Sequence, residues 1–241
     1  MPDTIVIIPT FNEIENIEAI IRAVFSQEKV FHVLVVDDSS PDLTADKVEE
    51  LQAEFPKQLY LLSRKEKTGL GTAYIAGFKW CLERDYEYIF EMDADFSHSP
   101  NDLIRLYNAC HIQQADLAVG SRYVKGVNVV NWPMSRILLS YFASKYVRLI
   151  TRMKIHDTTA GFVCYKRHVL ESIDLNSIKF VGYAFQIEMK FKAYLKQFKI
   201  IEIPVIFTDR SKGKSKMSGG IISEAILGVI SMKINSFFRK K

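Results

Sequence analysis

Cysteine is scarce in this 241-residue chain, and the three present, Cys81, Cys110 and Cys164, lie far apart with no C-x-x-C spacing. That excludes both a disulfide framework and a zinc knuckle. Long apolar runs are missing too. The longest stretch without Asp, Glu, Lys or Arg is Thr68 to Phe78, 11 residues, whereas a membrane-crossing helix needs about 20 apolar ones. The opening Met1-Pro2-Asp3 lacks the basic and then apolar segment of a secretory signal, which makes a cytoplasmic chain the expectation. Repeats and linkers are absent, and no Ser-His-Asp or Cys-His set stands out among the five histidines. Hydrophobic residues at 48% and charged residues at 25% are ordinary for a globular protein and exclude disorder.

Acidic residues are missing from one long stretch. Arg122 to His156 holds seven Lys or Arg and no Asp or Glu, and Thr208 to Lys241 holds eight basic residues against Asp209 and Glu224. These segments carry +7 and +6, so a chain of net charge +4 keeps −9 in the remainder. An acidic body with two basic stretches suits a phosphorylated partner, an acidic lipid surface or nucleic acid; two solvated faces are the plain alternative.

What is present alternates. Thr4 to Ile8 and Phe31 to Val36 are short Val- and Ile-rich runs, as in strands buried on both faces of a parallel sheet. Between them Ile14, Ile17, Ile21, Val24 and Phe25 recur at helical spacing, with Asn12 placed to cap the helix. The pattern continues with a helix near Thr44 to Phe55, a strand at Leu59 to Leu62, a helix near Gly71 to Glu83 and a strand at Tyr88 to Met92. Ser99-Pro100 opens a helix to Cys110, and Asp116 to Val119 and Val163 to Tyr165 read as strands. Tyr183 to Gln197 reads as a helix and Ile200 to Phe207 as a strand, whose Pro204 favours an edge. The expectation is an α/β sandwich with a mostly parallel central sheet, one domain over 1–210 and a basic appendage over 211–241.

Ligands bind beyond the carboxyl ends of parallel strands, and that is where the acids fall: Asp37-Asp38 after the second strand, Asp93-Ala94-Asp95 after the strand at Tyr88. Carboxylates at i and i+2 of an extended chain project to one side, an arrangement suited to a hard cation bridging substrate phosphates. A lone D-x-D also occurs in turns. Gly69-Leu70-Gly71 either cradles phosphate or permits a tight turn; it is no dinucleotide fingerprint, since the third glycine would fall at Tyr74. Gly213-Lys214-Ser215 imitates a Walker A ending, but Thr208 stands where its first glycine belongs. His98, beside the acidic pair, fits either a structural hydrogen bond or acid–base work. Arg136, Ser140, Ser144 and Arg148, four residues apart, form one polar ridge on an otherwise apolar helical segment, and Arg with Ser one turn away suits a phosphate oxyanion.

Together these segments resemble a family. Pro9-Thr10-Phe11-Asn12-Glu13, Asp37 to Asp42, Gly69 to Tyr74, Asp93 to His98 and Gly120-Ser121-Arg122-Tyr123 follow in the order found in polyprenol-phosphate (dolichol-phosphate) mannose synthases. These are inverting family 2 glycosyltransferases of the GT-A fold. Trp132, Arg136, Ser140, Thr159 to Phe162, Phe185 to Met189 and Asp209-Arg210 with Gly213, Ser215 and Lys216 extend the likeness over nearly the whole chain. The resemblance implies transfer of a hexose, with mannose from GDP-mannose favoured, to a polyprenyl monophosphate; a family 2 glycosyltransferase using glucose or another sugar, or a non-catalytic nucleotide-sugar or nucleic-acid binding module, is the alternative. It implies that Pro9, Phe11, Glu13, Asp37, Asp38 and Gly71 serve the nucleotide sugar and that Arg210 and Lys216 hold phosphates. Asp93, Asp95 and Ser97 would surround Mg²⁺ or Mn²⁺, and Arg122, Arg136 and Ser140 would receive the acceptor phosphate. Phe11 replaces a frequent Tyr, Ser97 a Gln of some members, and Val127 the second glycine of a frequent pair. The transmembrane domain fused to some members is not part of this sequence.

The apolar settings of Tyr141, Phe142 and Tyr146 favour packing or lipid over base stacking, against a nucleic-acid partner. From Ile221 to Phe238, Glu224, Gly228, Ser231 and Asn235 form a polar ridge beside a wide apolar face that includes Ile222, Ile226, Val229, Ile230, Ile234 and Phe237. A helix of that pattern, with Lys233, Arg239, Lys240 and Lys241, is expected to lie flat on the cytoplasmic face of a membrane. The same face suits docking on the protein's own body or on a small membrane-protein partner.

Overall fold

The structure, a computed structural model, describes residues 3–209 and 220–238. Arg210 and Lys216, and the Gly213-Lys214-Ser215 segment, lie outside the described residues.

Strands β1 (Thr4–Thr10), β2 (His32–Asp37), β3 (Leu59–Ser63), β4 (Tyr88–Glu91), β5 (Leu117–Ser121), β7 (Val163–Lys166) and β8 (Ile200–Pro204) form one sheet in the order β3-β2-β1-β4-β7-β5-β8. Only β7 runs against its neighbours, so β1, β2, β4, β5 and β8 end on the same side. The near-continuous apolar runs are explained by this arrangement: residues 5–8 and 33–36 are wholly buried, with helices on both faces of the sheet. One core layer takes Ile17, Ile21 and Val24 of α1 (Ile17–Phe25), Val48 and Leu51 of α2 (Thr44–Glu54) and Leu103 and Leu106 of α4 (Leu103–His111). The other takes Tyr74 and Phe78 of α3 (Leu70–Leu82), Val169 and Leu170 of α6 (Arg167–Ser172) and Phe185 and Met189 of α7 (Tyr183–Leu195). All three cysteines are buried and free.

Two long helices sit over the edge where β8 ends the sheet. α5 (Met134–Thr151) and α8 (Gly220–Phe238) pack with α7 around Val147, Met153, Ile155, Ile187, Phe191, Val229 and Met232. No helix among the described residues is long and apolar enough to cross a membrane. A two-residue strand pair, β6 (Val129–Val130) with β9 (Phe207–Thr208), ties the start of the acid-free stretch to the residues after β8.

Three local expectations are corrected. The first helix begins at Ile17 rather than after Asn12, which has a left-handed φ of 58°. Its loop is held from outside, because the N–H groups of Asn12, Glu13 and Ile14 donate to Ser40 Oγ, Thr44 Oγ1 and Asp42 Oδ2. The expected last strand breaks after Pro204 and resumes as β9; the proline sits on the edge strand of the sheet, where its missing N–H costs no ladder bond, and the Val205 N–H still donates to the Ser121 carbonyl. Gly228 faces inward rather than lying on a solvent ridge, since a Cβ there would stand 2.5 Å from the Phe180 ring. α8 therefore docks through Val229 and Met232 while Leu227, Ile230, Ile234 and Phe237 remain exposed.

Candidate active site

The strand ends converge on one cavity of about 480 Å³. Asp93, Asp95, Ser97 and His98 line it together with Arg122, Trp132, Arg136, Ser140 and Asp209, and the Phe207 ring lies between His98 and the Arg122 guanidinium, 5.3 and 5.5 Å from them. Thr159, Ala160, Gly161 and Gln186 also line it, and Leu139, Phe142, Ala143, Tyr146 and Val147 of α5 make an apolar wall. Six residues singled out from the sequence, Asp93, Asp95, Ser97, Arg122, Arg136 and Ser140, thus meet in one space although they span 48 positions of the chain.

The acidic group is built on the loop after β4. Asp95 is nearly buried and its Oδ1 accepts the Ser97 N–H at 3.0 Å, while Asp93 is about one third exposed. Ser97 Oγ is buried and has no hydrogen-bond partner among the described residues. Two carboxylates and an unpartnered hydroxyl, all oxygen donors, fit a hard divalent cation that completes its shell with substrate oxygens or water. No group of three His, Cys, Asp or Glu gathers in metal-binding geometry among the described residues. His98 is stacked on Phe162 with centroids 5.0 Å apart, and burial pushes it down to about 4 despite nearby Asp95. It is neutral at pH 7.

The basic group depends on ion pairs. The Arg122 N–H donates to Asp157 Oδ2 at 2.9 Å, and its Nε and Nη2 donate to the same carboxylate at 2.7 and 2.6 Å. Nη2 also donates to Thr159 Oγ1 at 2.9 Å. Burial alone would raise the Asp157 pKa, but the Arg122 charge and hydrogen bonds hold it below the usual carboxylate range. Arg136 pairs with Asp209 at 2.9 Å and lies 4.1 Å from the Trp132 ring centroid. The small β6–β9 sheet brings these together, for the Asp209 N–H donates to the Val130 carbonyl and the Thr208 N–H to that of Ser97. Of the ridge expected on α5, Arg136 and Ser140 reach the cavity, while Ser144 is buried beside Thr158.

The nucleotide candidates lie at the neighbouring ends of β1 and β2. Asp37 accepts from Thr10 Oγ1 at 2.7 Å and from Ser40 N and Oγ at 2.9 and 2.6 Å, which pins the two loops together. Asp38 pairs with Arg64 at 2.9 Å; burial raises its pKa and Arg64 opposes the rise. Glu13 accepts from Asn16 Nδ2, and Lys67 Nζ sits 4.0 Å from the Phe11 ring centroid. Pro9 is half-buried near the end of β1. Gly71 serves packing: its N–H donates to the Val181 carbonyl at 2.8 Å, and a Cβ would stand 2.8 Å from the Phe185 ring.

Reading the sequence missed Asp157, Glu91 and Lys190. The first acid after a long acid-free stretch was a usable sign for Asp157. Glu91 and Lys190 carried no such sign, because a strand Glu and a helix Lys ordinarily face water. Both are fully buried here. Burial pushes Glu91 up to about 8 and Lys190 down to about 8, each opposed by the other's charge.

The sequence profile of glycosyl transferase family 2 matches residues 5–174. Polyprenol monophosphomannose synthase of Mycolicibacterium smegmatis is 47% identical over 226 residues, covering 94% of this chain and 85% of that protein. Undecaprenyl-phosphate mannosyltransferase of Micrococcus luteus is 45% identical over 223 residues, covering 92% and 90%. Among solved structures, the mannosyltransferase PcManGT from Pyrobaculum calidifontis, in complex with GDP-Man and Mn²⁺, superposes with a TM-score of 0.63. It shares 17% identity and covers all of this chain and 65% of that one.

The Arg122–Asp157 pair yields a stability prediction. Asp157→Asn strands a buried guanidinium and should cost about 3–5 kcal/mol at pH 7 in urea denaturation. Because the folded pKa of Asp157 is depressed, its contribution is present above the ordinary carboxylate pKa and is lost as pH falls through the folded value. The gap between variant and parent should therefore be full at neutral pH and narrow below about pH 4. A gap that is small at pH 7 would contradict the assignment.

Proposed function

Because the chain belongs to glycosyl transferase family 2, and so is a glycosyltransferase with the GT-A type of sandwich, we propose the following reaction. It moves mannose from GDP-mannose to a polyprenyl monophosphate, with inversion at the anomeric carbon. One observation carries this reading: a single cavity is lined by the Asp93 and Asp95 carboxylates, by an arginine with a serine, and by an apolar helix. The named relatives act in mannosyl transfer to lipid phosphates, and PcManGT was solved with GDP-Man and Mn²⁺, which supports the choice of sugar, nucleoside and metal.

The acceptor phosphate oxygen forms the new bond to the anomeric carbon as the bond to the nucleoside diphosphate breaks on the opposite face. A phosphate monoester loses its second proton near pH 6, so the nucleophile is already anionic and needs no base. That fits a cavity whose histidine is buried and neutral. Arg136 and Ser140 hold the acceptor phosphate, Arg122 shapes their surroundings through Asp157, and Asp93, Asp95 and Ser97 hold Mg²⁺ or Mn²⁺. A cation held there would supply charge neutralisation for the departing diphosphate. Positioning accounts for the rest.

The lipid tail leaves along α5, whose Met134, Leu138, Leu139, Phe142 and Leu149 are exposed, beside the exposed apolar residues of α8. Lys145, Arg152 and Lys154 are exposed in the same region. Such a surface seats the enzyme peripherally on anionic lipid on the cytoplasmic side.

Four outcomes are expected. Offered a panel of nucleotide sugars with a short polyprenyl phosphate, the protein should yield mannosyl-phosphoprenol by mass spectrometry from GDP-mannose. Excess EDTA or Asp95→Ala should reduce turnover by orders of magnitude. Product from a different sugar alone, or full activity in EDTA, overturns the corresponding part of the reading. Arg136→Ala should weaken use of the acceptor by about 2–5 kcal/mol while leaving donor affinity nearly unchanged; loss of donor affinity instead would refute the placement. Replacing Leu138, Leu149, Ile234 and Phe237 together by Ser should abolish flotation with anionic liposomes and transfer to long-chain acceptors while sparing a short soluble acceptor. Undiminished flotation would move the membrane contact elsewhere.

A further inference from the structure

A buried polar chain that the transfer reading leaves unused runs beneath the cavity. Lys190 on α7 is fully buried, and its Nζ donates to the Ala160 carbonyl at 2.6 Å, Gln186 Oε1 at 3.0 Å and the Gln186 carbonyl at 3.2 Å. Three protons thus meet three acceptors. Gln186 Nε2 donates in turn to buried Glu91 Oε2 at 2.8 Å. Charged and amide groups this deep are costly unless every bond is made, and an apolar side chain at 190 would avoid the cost.

The position of the chain gives it a use. Glu91 lies two residues before Asp93 on β4, and Ala160 follows Thr159, the acceptor for Arg122 Nη2. The hydrogen bonds therefore link the segment that carries Asp93 to the segment that carries Thr159, the acceptor for Arg122. Ala160, Gly161 and Gln186 line the cavity above them. In a displacement the transferred hexose lies between the leaving diphosphate and the attacking phosphate, within the cavity these residues line. The ammonium also fixes the Gln186 amide. Lys190 can only donate, so Oε1 must face it and Nε2 must face Glu91, which leaves one further N–H on Nε2. That nitrogen lies 3.8 Å from where a Cβ on Gly161 would stand, and the glycine leaves the space beside it clear.

We propose that Lys190 is a positioning residue for the hexose subsite: by holding Gln186 Oε1 and the Ala160 carbonyl, it aims a Gln186 N–H at a hydroxyl of the transferred sugar. The inference rests on the donor assignment above, so the test separates the two. Calorimetry with Mn²⁺ compares GDP and GDP-mannose binding to the full chain, to Lys190→Met and to the double variant Glu91→Gln with Lys190→Met. The double variant removes both charges and so avoids stranding a buried carboxylate. In both variants GDP affinity should stay within about twofold, while GDP-mannose affinity should fall about tenfold, as for loss of one aligned hydrogen bond. With a short polyprenyl phosphate, kcat should fall and the KM for that acceptor should hold. Equal weakening of both ligands in the double variant reveals general damage to the site and overturns the proposal, as does an unchanged affinity for GDP-mannose. Failure of the parent protein to bind GDP-mannose overturns the donor assignment instead, and the subsite with it.

Discussion

The carboxylate of Asp157, wholly buried and gripped by the backbone and guanidinium of Arg122, sets the shape of the cavity. It joins the end of β5 to the turn after α5, so the acid-free stretch between them is closed into a flap over the sheet edge. Glu202 of β8 secures the same turn, accepting from the His156 and Asp157 N–H groups at 2.8 and 3.0 Å. A buried guanidinium without its carboxylate would be expensive, so α5 with Arg136, Ser140 and its apolar wall is held where the pair puts it.

That closure answers an electrostatic difficulty. Two anionic substrates must approach within bonding distance, and like charges in a partly dry cavity repel strongly. The cavity offers counter-charges for both, carboxylates suited to a cation and the guanidinium groups of Arg122 and Arg136. Arg136 does not wait alone: Asp209 neutralises it and Trp132 lies beside it. An incoming phosphate therefore competes with a carboxylate, which favours a dianionic ligand over a singly charged one. The apolar wall of α5 gives a prenyl tail a route away from the polar floor, continuous with the exposed side chains of α8.

Much of this was legible in the sequence because the relevant signals are local. Val- and Ile-rich runs ending in acids mark parallel strands whose carboxyl ends meet, and Asp93 and Asp95 do lie at such an end. The four-residue ridge on α5 marked Arg136 and Ser140 in the same way. What stayed hidden depends on contacts distant in the chain. Asn12 carries the composition of a helix cap, but Ser40 and Thr44, from the next loop, take the N–H groups of its segment. Arg122 reads as a phosphate ligand, and nothing local announces that Asp157, 35 residues on, binds its Nε and Nη2. Lys190 sits in a helix where a lysine normally reaches solvent, and only the tertiary fold places it beneath Ala160. Gly228 reads as part of a polar ridge, yet close approach to Phe180 is what requires it.

The account depends on both substrates occupying the cavity at once, donor at the carboxylates and acceptor at Arg136 and Ser140, with direct attack between them. Initial-rate kinetics with GDP-mannose and a short polyprenyl phosphate, each varied at several fixed concentrations of the other, test that most directly. Reciprocal plots that intersect, with product of inverted anomeric configuration, are the predicted result. Parallel lines with retained configuration would mean that mannose first bonds to the protein, and would contradict it.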